Sequence, residues 1–264
     1  MFKLFHKFLF FVLLALFFGA CGTLRTESKP KELPPAPLRV GVFPYYPPMI
    51  FKEKNQVKGA EADLAVRLAK ALGREADFFE LGWDRLIPAL MENKIDIIMS
   101  GMTITEARKA RVNFTHPYIK IGLMTLMRAE DASQFDSLAS IRESFSTIGV
   151  VKGTTGETFV RKNFSKAANI ISFQKANEAS KLLIQRRIDL FVHDGPSIIW
   201  LVSENEGVLK GYWEPLNEEY LGWAVNREDP DLLLKANSIL SNWEKEGTLK
   251  EVLTLWLPYL KNFD

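Results

Sequence analysis

The pattern of apolar and polar positions predicts a chain of alternating strands and helices. Four short apolar runs bounded by polar segments are typical of buried strands. These runs are LRVGV (38–42), IDIIM (95–99), TIGVV (147–151) and IDLFV (188–192). Apolar residues at helical spacing predict helices over 61–72, 84–93 and 178–187. Because strands alternate with helices, the sequence favours an α/β fold with parallel sheets.

Three predicted helices carry recognisable end signals. Gly73 follows the last periodic residue of the first helix and should end it. Asp84 is the expected N-cap of the second helix, with Pro88 near its first turn. Thr105 is expected to cap a short helix that holds Arg108 in its first turn.

The chain has two similar halves, each with a helix, a basic residue, an Ile-Asp pair, a strand and a polar end. In open parallel sheets, ligands bind outside the carboxyl ends of the strands. The strand ends are polar or glycine-rich at 43–49, 100–108, 152–156 and 193–195. Two facing sheets would bring these ends into a shared cleft. The sequence holds no Walker loop or GxGxxG turn, so we expect no nucleotide cofactor.

The amino terminus has the pattern of a secretory signal peptide over residues 1–20. Two lysines precede an apolar run over 8–18, which is too short for a membrane anchor because spanning a bilayer takes about 20 residues. The FGAC ending is similar to a bacterial lipobox, which implies lipidation of Cys21. The proline-rich residues 21–37 would then form a lipidated tether. We expect an exported, membrane-anchored lipoprotein in the periplasm or cell envelope.

Composition removes several classes of function. The 34 Lys and Arg residues nearly balance the 32 Asp and Glu residues, so nothing points to a nucleic-acid partner. A single Cys excludes intramolecular disulfides and Cys-rich metal sites, and three His residues make a His-based metal centre unexpected. We expect no cofactor and no metal. The length, 264 residues, suggests one large domain or two modest ones.

Long stretches of the chain resemble the family 3 extracellular solute-binding proteins, the polar amino-acid receptors of bacterial ABC transporters. The stretches include LRVGVFPYYPPM, SGMTITEARK, GVVKGTTGE, RRIDLFVHDGPSI and YLGWAVNREDPDLL, and the resemblance covers 38–258. It implies a type II periplasmic-binding-protein fold, with two α/β lobes joined by two hinge strands. Lobe 1 would comprise 38–126 plus 219–264, and lobe 2 would comprise 127–218.

The resemblance implies a site for a zwitterionic amino acid. Arg108 matches the family's carboxylate-binding arginine, whose guanidinium can grip a carboxylate with two parallel bonds; the alternative is a solvated surface arginine, which is our interpretation of Lys109 and Arg111. Asp194 matches the aspartate that binds the ligand ammonium, and its alternative role is to cap the helix that follows.

Further site residues are expected from both lobes. Ser100, Gly101 and Thr103 lie on the lobe 1 side, where Gly101 and Thr103 match positions that offer backbone groups to the ligand. The loop KGTTG opens a helix whose amino end attracts anions, with an ordinary glycine turn as the alternative. Its expected contact residues are Lys152, Thr154, Thr155 and Gly156.

Aromatic residues are expected around the ligand side chain. Tyr46 and Trp83 match positions that sandwich that side chain in relatives, and core packing is the alternative for each. His193 precedes Asp194 in a stretch similar to that of glutamine receptors, although a lone histidine is more often a core residue. Phe43 stands where receptors for basic amino acids and for glutamine carry an acidic residue, which argues against Lys or Arg as the ligand. We expect a neutral, polar or acidic side chain.

Two other functions stay open at this stage. A cyclohexadienyl or arogenate dehydratase on the same fold would need a proton donor, for which Glu157, His193 and Glu61 are conceivable. A partner-mediated amino-acid sensor is the second alternative. The resemblance favours a monomeric receptor that closes around an amino acid and delivers it to an ABC transporter permease.

Overall fold

The computed structural model describes residues 35–262, so residues 1–20, Cys21 and most of the predicted tether lie outside the described residues. The strands of this part are β1 (Leu38–Val42), β2 (Tyr45–Tyr46), β3 (Ile50–Glu53), β4 (Gln56–Lys58), β5 (Ala76–Glu80), β6 (Ile97–Ile98), β7 (Asn113–Phe114), β8 (Ile119–Ile121), β9 (Leu123–Arg128), β10 (Thr147–Val151), β11 (Asn169–Phe173), β12 (Leu190–Asp194), β13 (Leu209–Tyr212), β14 (Glu219–Leu221) and β15 (Ala224–Val225).

The helices of the same part are α1 (Ala60–Ala71), α2 (Trp83–Met91), α3 (Glu106–Lys109), α4 (Leu138–Glu143), α5 (Thr155–Asn163), α6 (Glu178–Ile184), α7 (Gly195–Ser203), α8 (Pro230–Glu246) and α9 (Thr248–Trp256). Short 3-10 helices cover Ala129–Gln134 and Pro258–Asn262. Among residues 35–262, no helix has the length and apolar character needed to cross a membrane.

The first five-stranded sheet has the order β5-β1-β6-β15-β7. Strand β1 runs parallel to β5 and β6, whereas β15 runs antiparallel to β6 and β7. Helices α1, α8 and α9 cover one face of this sheet, and their buried leucines join one core with the sheet residues. Helix α2 contributes Leu86 and Leu90 to a separate core with Ile98.

The second five-stranded sheet repeats this plan with the order β11-β10-β12-β9-β13. Strand β10 runs parallel to β11 and β12, and β9 runs antiparallel to β12 and β13. Two apolar cores, around Ile148 and around Phe191, contain residues of these strands and of α5 and α7. The similar halves of the sequence therefore form similar sheets.

Two strands carry the chain between the sheets. The chain leaves the first sheet after β7, passes through β8 and enters β9 of the second sheet, and it returns from β13 through β14 to β15. Strands β8 and β14 pair antiparallel, with Lys120 opposite Tyr220. The predicted limits of lobe 1 assign residues 123–126 to the first lobe, whereas these residues lie in β9 of the second sheet.

Several predicted boundaries differ from those in the structure. Strands 38–42 and 147–151 are confirmed. The predicted N-cap of the second helix is wrong, because the helix starts at Trp83 with Gly82 as its N-cap, and Pro88 lies inside it. Asp84 instead lies in the first turn, where its charge interacts favourably with the positive end of the helix dipole. The helix predicted over 178–187 ends earlier, at Ile184.

The strands that follow the two Ile-Asp pairs begin later than predicted. Ladder pairing covers Ile97–Ile98 and Leu190–Asp194, so His193 and Asp194 end a strand rather than follow it. Asp96 accepts a hydrogen bond from the backbone N–H of Arg39 at 2.9 Å. Asp189 accepts the equivalent bond from Thr147 at 2.9 Å. Both aspartates thus join neighbouring strands at the ends remote from the cleft.

Candidate functional site

A cavity lies between the two sheets, at the carboxyl ends of their central strands. Ten of the twelve residues expected at the site line it, namely Tyr46, Trp83, Ser100, Gly101, Thr103, Arg108, Thr154, Thr155, His193 and Asp194. Lys152 and Gly156 do not belong to the lining. The other lining residues are Phe43, Tyr45, Val151 and Ala176. The structure thus brings together residues that are far apart in the sequence.

Arg108 enters the cavity from the short helix α3. The Thr105 side chain accepts a hydrogen bond from the Arg108 backbone N–H at 3.3 Å, which confirms the predicted cap. The guanidinium donates to the Thr103 carbonyl at 2.8 Å and to the Gly153 carbonyl at 3.5 Å. It also lies over the Trp83 ring, with its carbon 5.3 Å from the ring centroid. Burial lowers the pKa of Arg108, while Asp194 and Glu219 oppose that shift.

Asp194 enters the cavity from the opposite sheet, as the last residue of β12. It occupies the N-cap position of α7, but its side chain makes no cap hydrogen bond there. Instead its Oδ2 accepts a hydrogen bond from the Tyr46 hydroxyl at 2.8 Å. Burial raises the pKa of Asp194 to about 6, against the opposing effects of Tyr46 and Arg108. The buried carboxylate therefore bonds across the cleft rather than to its own helix.

Tyr46 contacts residues of both lobes, in addition to lining the cavity as the sequence predicted. Its ring packs against Gly101, which adopts a positive φ of 65°. A Cβ atom at that position would lie 2.4 Å from the Tyr46 ring, so only glycine fits there. The ring centroid of Tyr46 is also 5.4 Å from that of His193. Tyr46 thus forms a buried link between the lobes.

Trp83 forms a second link across the cleft, from the first residue of α2. Its Nε1 donates a hydrogen bond to the Gly153 carbonyl at 3.0 Å. Gly153 has a positive φ of 76°, and a Cβ there would lie 3.3 Å from the Trp83 ring. The KGTTG loop therefore approaches lobe 1 closely through its glycine.

The two threonine hydroxyls of the KGTTG loop already have protein partners. Thr154 is the N-cap of α5, and its hydroxyl accepts from Glu157 N at 3.3 Å and donates to the Val151 carbonyl at 2.7 Å. The Thr155 hydroxyl donates to Glu219 at 2.8 Å. The capacity of this loop to bind an anion thus depends on the backbone N–H groups at the start of α5.

A buried carboxylate fixes the loop of lobe 1. Glu61 is fully buried in α1 and accepts hydrogen bonds from the Gly101 N–H and from the Tyr118 hydroxyl. Ser100 accepts a hydrogen bond from the Phe43 N–H at 2.8 Å. Burial raises the pKa of Glu61 to about 7. The Gly101 N–H and the Ser100 oxygen thus hold the loop in place.

His193 is a neutral imidazole with an assigned tautomer. Its Nδ1 accepts a hydrogen bond from the Asp194 N–H at 2.7 Å, so its proton is on Nε2. Burial lowers the pKa of His193 to about 4. Among residues 35–262, no group of three or more His, Cys, Asp or Glu is arranged to hold a metal ion.

Glu219 is a residue of this region that the sequence did not single out. Its carboxylate accepts hydrogen bonds from the hydroxyls of Thr103 and Thr155, at 2.9 and 2.8 Å. Burial and the charge of Asp194 raise the pKa of Glu219. Its neighbour Glu218 is exposed and pairs with Lys120. One signal in the NEEYL stretch separates the buried glutamate from the exposed one. Side chains two residues apart in a strand face the same side, and Glu219 is two residues before the buried Leu221.

The raised pKa of Glu61 predicts a pH dependence of stability. The folded state keeps a proton on this carboxyl up to about pH 7, whereas the ordinary pKa is 4.5. The folded protein therefore binds more protons in this window, and the free energy of unfolding should fall as pH rises through it. Glu61→Gln removes the titrating group. The free energy of unfolding of the wild type, minus that of the variant, should therefore decrease from pH 4.5 to pH 7. Urea denaturation measures both, with the exposed Glu75→Gln as the control. Wild-type and Glu61→Gln curves that stay parallel across this range would contradict the prediction.

Comparisons with known proteins agree with this architecture. Residues 38–259 match the profile of the bacterial extracellular solute-binding proteins, family 3. The chain is 26% identical to the L-cystine-binding protein of Escherichia coli over 83% of this chain and 82% of that protein. It superimposes on an ABC-transporter binding component from Wolinella succinogenes, complexed with lysine, with a TM-score of 0.80 and 32% identity, covering 87% of this chain and 100% of that one.

A third relative comes from a reconstructed lineage. It is an ancestral amino acid-binding protein described as a precursor of cyclohexadienyl dehydratase, with a TM-score of 0.77 and 35% identity, covering 83% of this chain and 94% of that one. These structures confirm the predicted type II periplasmic-binding fold, and the match over 38–259 confirms the resemblance found in the sequence. The chain belongs to the bacterial extracellular solute-binding proteins, family 3.

Proposed function

We propose that this protein is an extracytoplasmic receptor that binds a polar amino acid and delivers it to an ABC transporter. The observation that carries the proposal is that Arg108 and Asp194 line one cavity from opposite lobes. Cystine and lysine, named for two relatives, share an α-carboxylate and an α-ammonium. One half-buried cation and one buried anion match those two groups.

Arg108 is the proposed partner of the ligand carboxylate, together with the backbone N–H groups at the start of α5. Asp194 is the proposed partner of the ammonium, and because Tyr46 bonds to its Oδ2, its Oδ1 is the oxygen left to accept from a ligand. The Gly101 carbonyl offers a second acceptor. Phe43, Tyr45 and Trp83 line the part of the cavity proposed for the side chain.

Closure of the cleft is the proposed means of capture. Trp83 and Tyr46 of lobe 1 bond to Gly153 and Asp194 of lobe 2, so the structure is in a closed arrangement. A ligand that contacts Arg108 and Asp194 at once binds this arrangement better than an open one and shifts the population toward it. Exclusion of water strengthens both charge pairs. The moving bodies are proposed to be the two predicted lobes with residues 123–126 transferred to the second, namely 38–122 plus 219–264 and 123–218, because β9 belongs to the second sheet.

Export and anchoring are proposed on the amino-terminal pattern alone. The signal peptide of residues 1–20 would direct secretion, and a lipid on Cys21 would hold the protein at a membrane through the tether of residues 21–37. The proposed partner in that membrane is the ABC transporter permease, and the proposed receptor is a monomer. Family membership supports an extracytoplasmic location.

Removal of the proposed carboxylate partner tests the function. Among twenty free amino acids, a thermal-shift screen identifies the one that raises the wild-type Tm most. Arg108→Ala should weaken calorimetric binding of that amino acid by at least about a hundredfold, because a buried charge-assisted contact to the carboxylate is lost. Arg111→Ala, the same change at an exposed arginine nearby, is the control. Unchanged affinity in Arg108→Ala, or no Tm shift with any amino acid, would contradict the proposal.

The charges around the cavity predict selectivity against cationic side chains. The face of Trp83 already lies against Arg108, and the Lys175 ammonium lies 3.9 Å from the centroid of the Tyr45 ring. A ligand cation would meet these like charges, and Asp194 is the only carboxylate of the cavity lining. We therefore propose a neutral or acidic ligand side chain, as the sequence predicted from Phe43.

Arginine and its neutral isostere citrulline separate charge from shape. Citrulline should bind the wild-type protein at least about tenfold more tightly, because a buried cation without a counter-charge is costly. Lys175→Gln should narrow that ratio, whereas Lys181→Gln, at an exposed lysine of α6, should leave it unchanged. Calorimetric affinity for arginine that equals or exceeds that for citrulline would be the contrary result.

Dehydratase activity is the second function to consider, because one structural relative is described as a precursor of such an enzyme. The three conceivable proton donors are poorly placed for that chemistry. Glu157 bonds to Gly153 N, Ser172 and Arg161, which lowers its pKa and keeps it ionised. Glu61 accepts a hydrogen bond from the Gly101 N–H and does not belong to the cavity lining. His193 is a neutral imidazole, because burial lowers its pKa. We therefore propose a receptor that is not an enzyme.

An activity assay distinguishes the two functions. The purified protein should leave prephenate and arogenate unchanged over hours, because none of the three conceivable donors is a protonated acid that lines the cavity. Chromatographic quantification of both substrates measures this, with heat-denatured protein as the control for spontaneous loss. Saturable turnover above that control would refute the receptor proposal.

A further inference from the structure

The hinge carries a carboxylate that is buried beside the binding cavity. Glu219 is the first residue of β14 and pairs with Ile121 of β8, so it lies on one of the two strands that join the lobes. Only 7% of Glu219 is exposed. A buried carboxylate is costly unless several hydrogen bonds satisfy it. Its partners therefore indicate what it does.

The partners of Glu219 come from both lobes. Its Oε2 accepts from the Thr103 hydroxyl of lobe 1 at 2.9 Å and from the Thr155 hydroxyl of lobe 2 at 2.8 Å. Its Oε1 accepts from the Asn217 amide at 2.9 Å. A single oxygen atom thus bridges two residues of the cavity lining, one on each side of the cleft.

Asn217 extends this network to the other hinge segment. Its Oδ1 accepts a hydrogen bond from Leu123 N at 2.9 Å, at the start of β9. The segment before β14 is therefore tied to the segment after β8, and both are tied to Glu219. These bonds lie within the hinge and need not change when the lobes separate.

The loop that holds Arg108 is fixed on the same strand. Ile104 N donates to the Tyr220 carbonyl at 2.8 Å, and Gly222 N donates to the Met102 carbonyl at 3.2 Å. Between them, the Thr103 hydroxyl bonds to Glu219 and the Thr103 carbonyl accepts from Arg108. Lobe 1, β14 and Glu219 thus form one body, and the position of Glu219 is transmitted through Thr103 to Arg108.

The bond to Thr155 is different because it joins Glu219 to the opposite lobe. Thr155 is the first residue of α5, beside Gly153, and opening of the cleft would carry it away from the hinge body. Glu219 then loses one of its three donors. Closing restores that donor to a carboxylate that is only 7% exposed in the closed cleft, which is favourable even before a ligand arrives.

We propose that Glu219 is a positioning residue that orients the Thr103–Arg108 side of the site and, through its bond to Thr155, stabilises the closed cleft. The proposal rests on the proposed function only in taking closure of the cleft to serve ligand capture. The predicted effect is on the equilibrium between open and closed forms of the unliganded protein, so it can be tested without knowledge of which amino acid binds.

Distances between spin labels across the cleft report closure directly. Asp84 and Gln174 are exposed and lie beside the cross-cleft contacts of Trp83 and Lys175. The labels are attached to Asp84→Cys and Gln174→Cys in the full-length chain, with Cys21→Ser to remove the native thiol. Double electron–electron resonance without added amino acid then gives the populations of short and long distances.

Substitutions at both ends of the bond identify its contribution. Glu219→Ala and Thr155→Val should each lower the ratio of closed to open molecules by about tenfold, because each removes a hydrogen bond to a charged group. The double variant should resemble either single variant, since the same bond is lost. Glu219→Gln should fall between the wild type and Glu219→Ala, because its amide oxygen can still accept both hydroxyls while its amide nitrogen loses the bond from Asn217. Glu218→Ala, at the exposed neighbour that pairs with Lys120, is the matched control and should match the wild type.

Several outcomes would overturn the proposal. These are a wild-type protein that is fully open, a Glu219→Ala protein as closed as the wild type, additive effects in the double variant, or a Glu219→Gln protein as open as Glu219→Ala. Thr155→Val keeps the proposal testable if Glu219→Ala fails to fold, as judged by circular dichroism. A wild-type protein that closes as expected but binds no amino acid would refute the proposed function and leave the role of Glu219 in place.

Discussion

Burial of opposite charges in one cavity is the constraint on which the rest of this structure depends. Arg108 and Asp194 each lose hydration, and the pKa of each shifts in the direction that burial dictates, with the other residue opposing the shift. Protein groups satisfy each of them only in part, through the Thr103 and Gly153 carbonyls for Arg108 and the Tyr46 hydroxyl for Asp194. A dipolar ligand would complete both sets of bonds. Specific local structure is needed to hold two such groups in place without that ligand.

That local structure is built from backbone positions that few residues can occupy. Gly101 has a positive φ and lies against the Tyr46 ring, and its N–H donates a hydrogen bond to Glu61. Gly153 has a positive φ and receives Trp83 from the other lobe. The site and the interface between the lobes are therefore made of the same residues. Any change in the separation of the lobes alters the cavity, so this shared construction would couple ligand binding to closure.

Sequence patterns predicted the strands, the helices and the charged residues of the cavity. They did not predict which residues would form hydrogen bonds with those charged residues. The runs 38–42 and 147–151 are apolar between polar segments, so their boundaries follow from composition alone. The Thr105 side chain caps the helix of Arg108 through a hydrogen bond between residues only three positions apart, so a local sequence signal predicts it. The bond between Tyr46 and Asp194 spans 148 residues, and that between Thr103 and Glu219 spans 116. No local pattern specifies such pairs, because they arise only when the two sheets face each other.

The same distinction explains the errors within single elements. Gly82 and Asp84 are both acceptable residues at a helix start, and the N-cap lies two residues earlier than predicted, where Trp83 packs against the KGTTG loop. His193 and Asp194 were expected after a strand, but pairing with Met124 and Leu123 of β9 extends the strand through them. In each case a contact with another part of the chain decided between two locally similar alternatives.

Three buried carboxylates surround the site, and only one of them is suited to an ammonium. Glu61 receives an N–H and a tyrosine hydroxyl, and Glu219 receives two threonine hydroxyls and an amide, so neutral donors already surround both. Asp194 has one such donor and lines the cavity beside Arg108. A cationic group entering the cavity would therefore find its best acceptor at Asp194 alone. On the proposed function, the neutral donors around the other two carboxylates would leave Asp194 as the acceptor for the ligand ammonium, in a position fixed relative to Arg108.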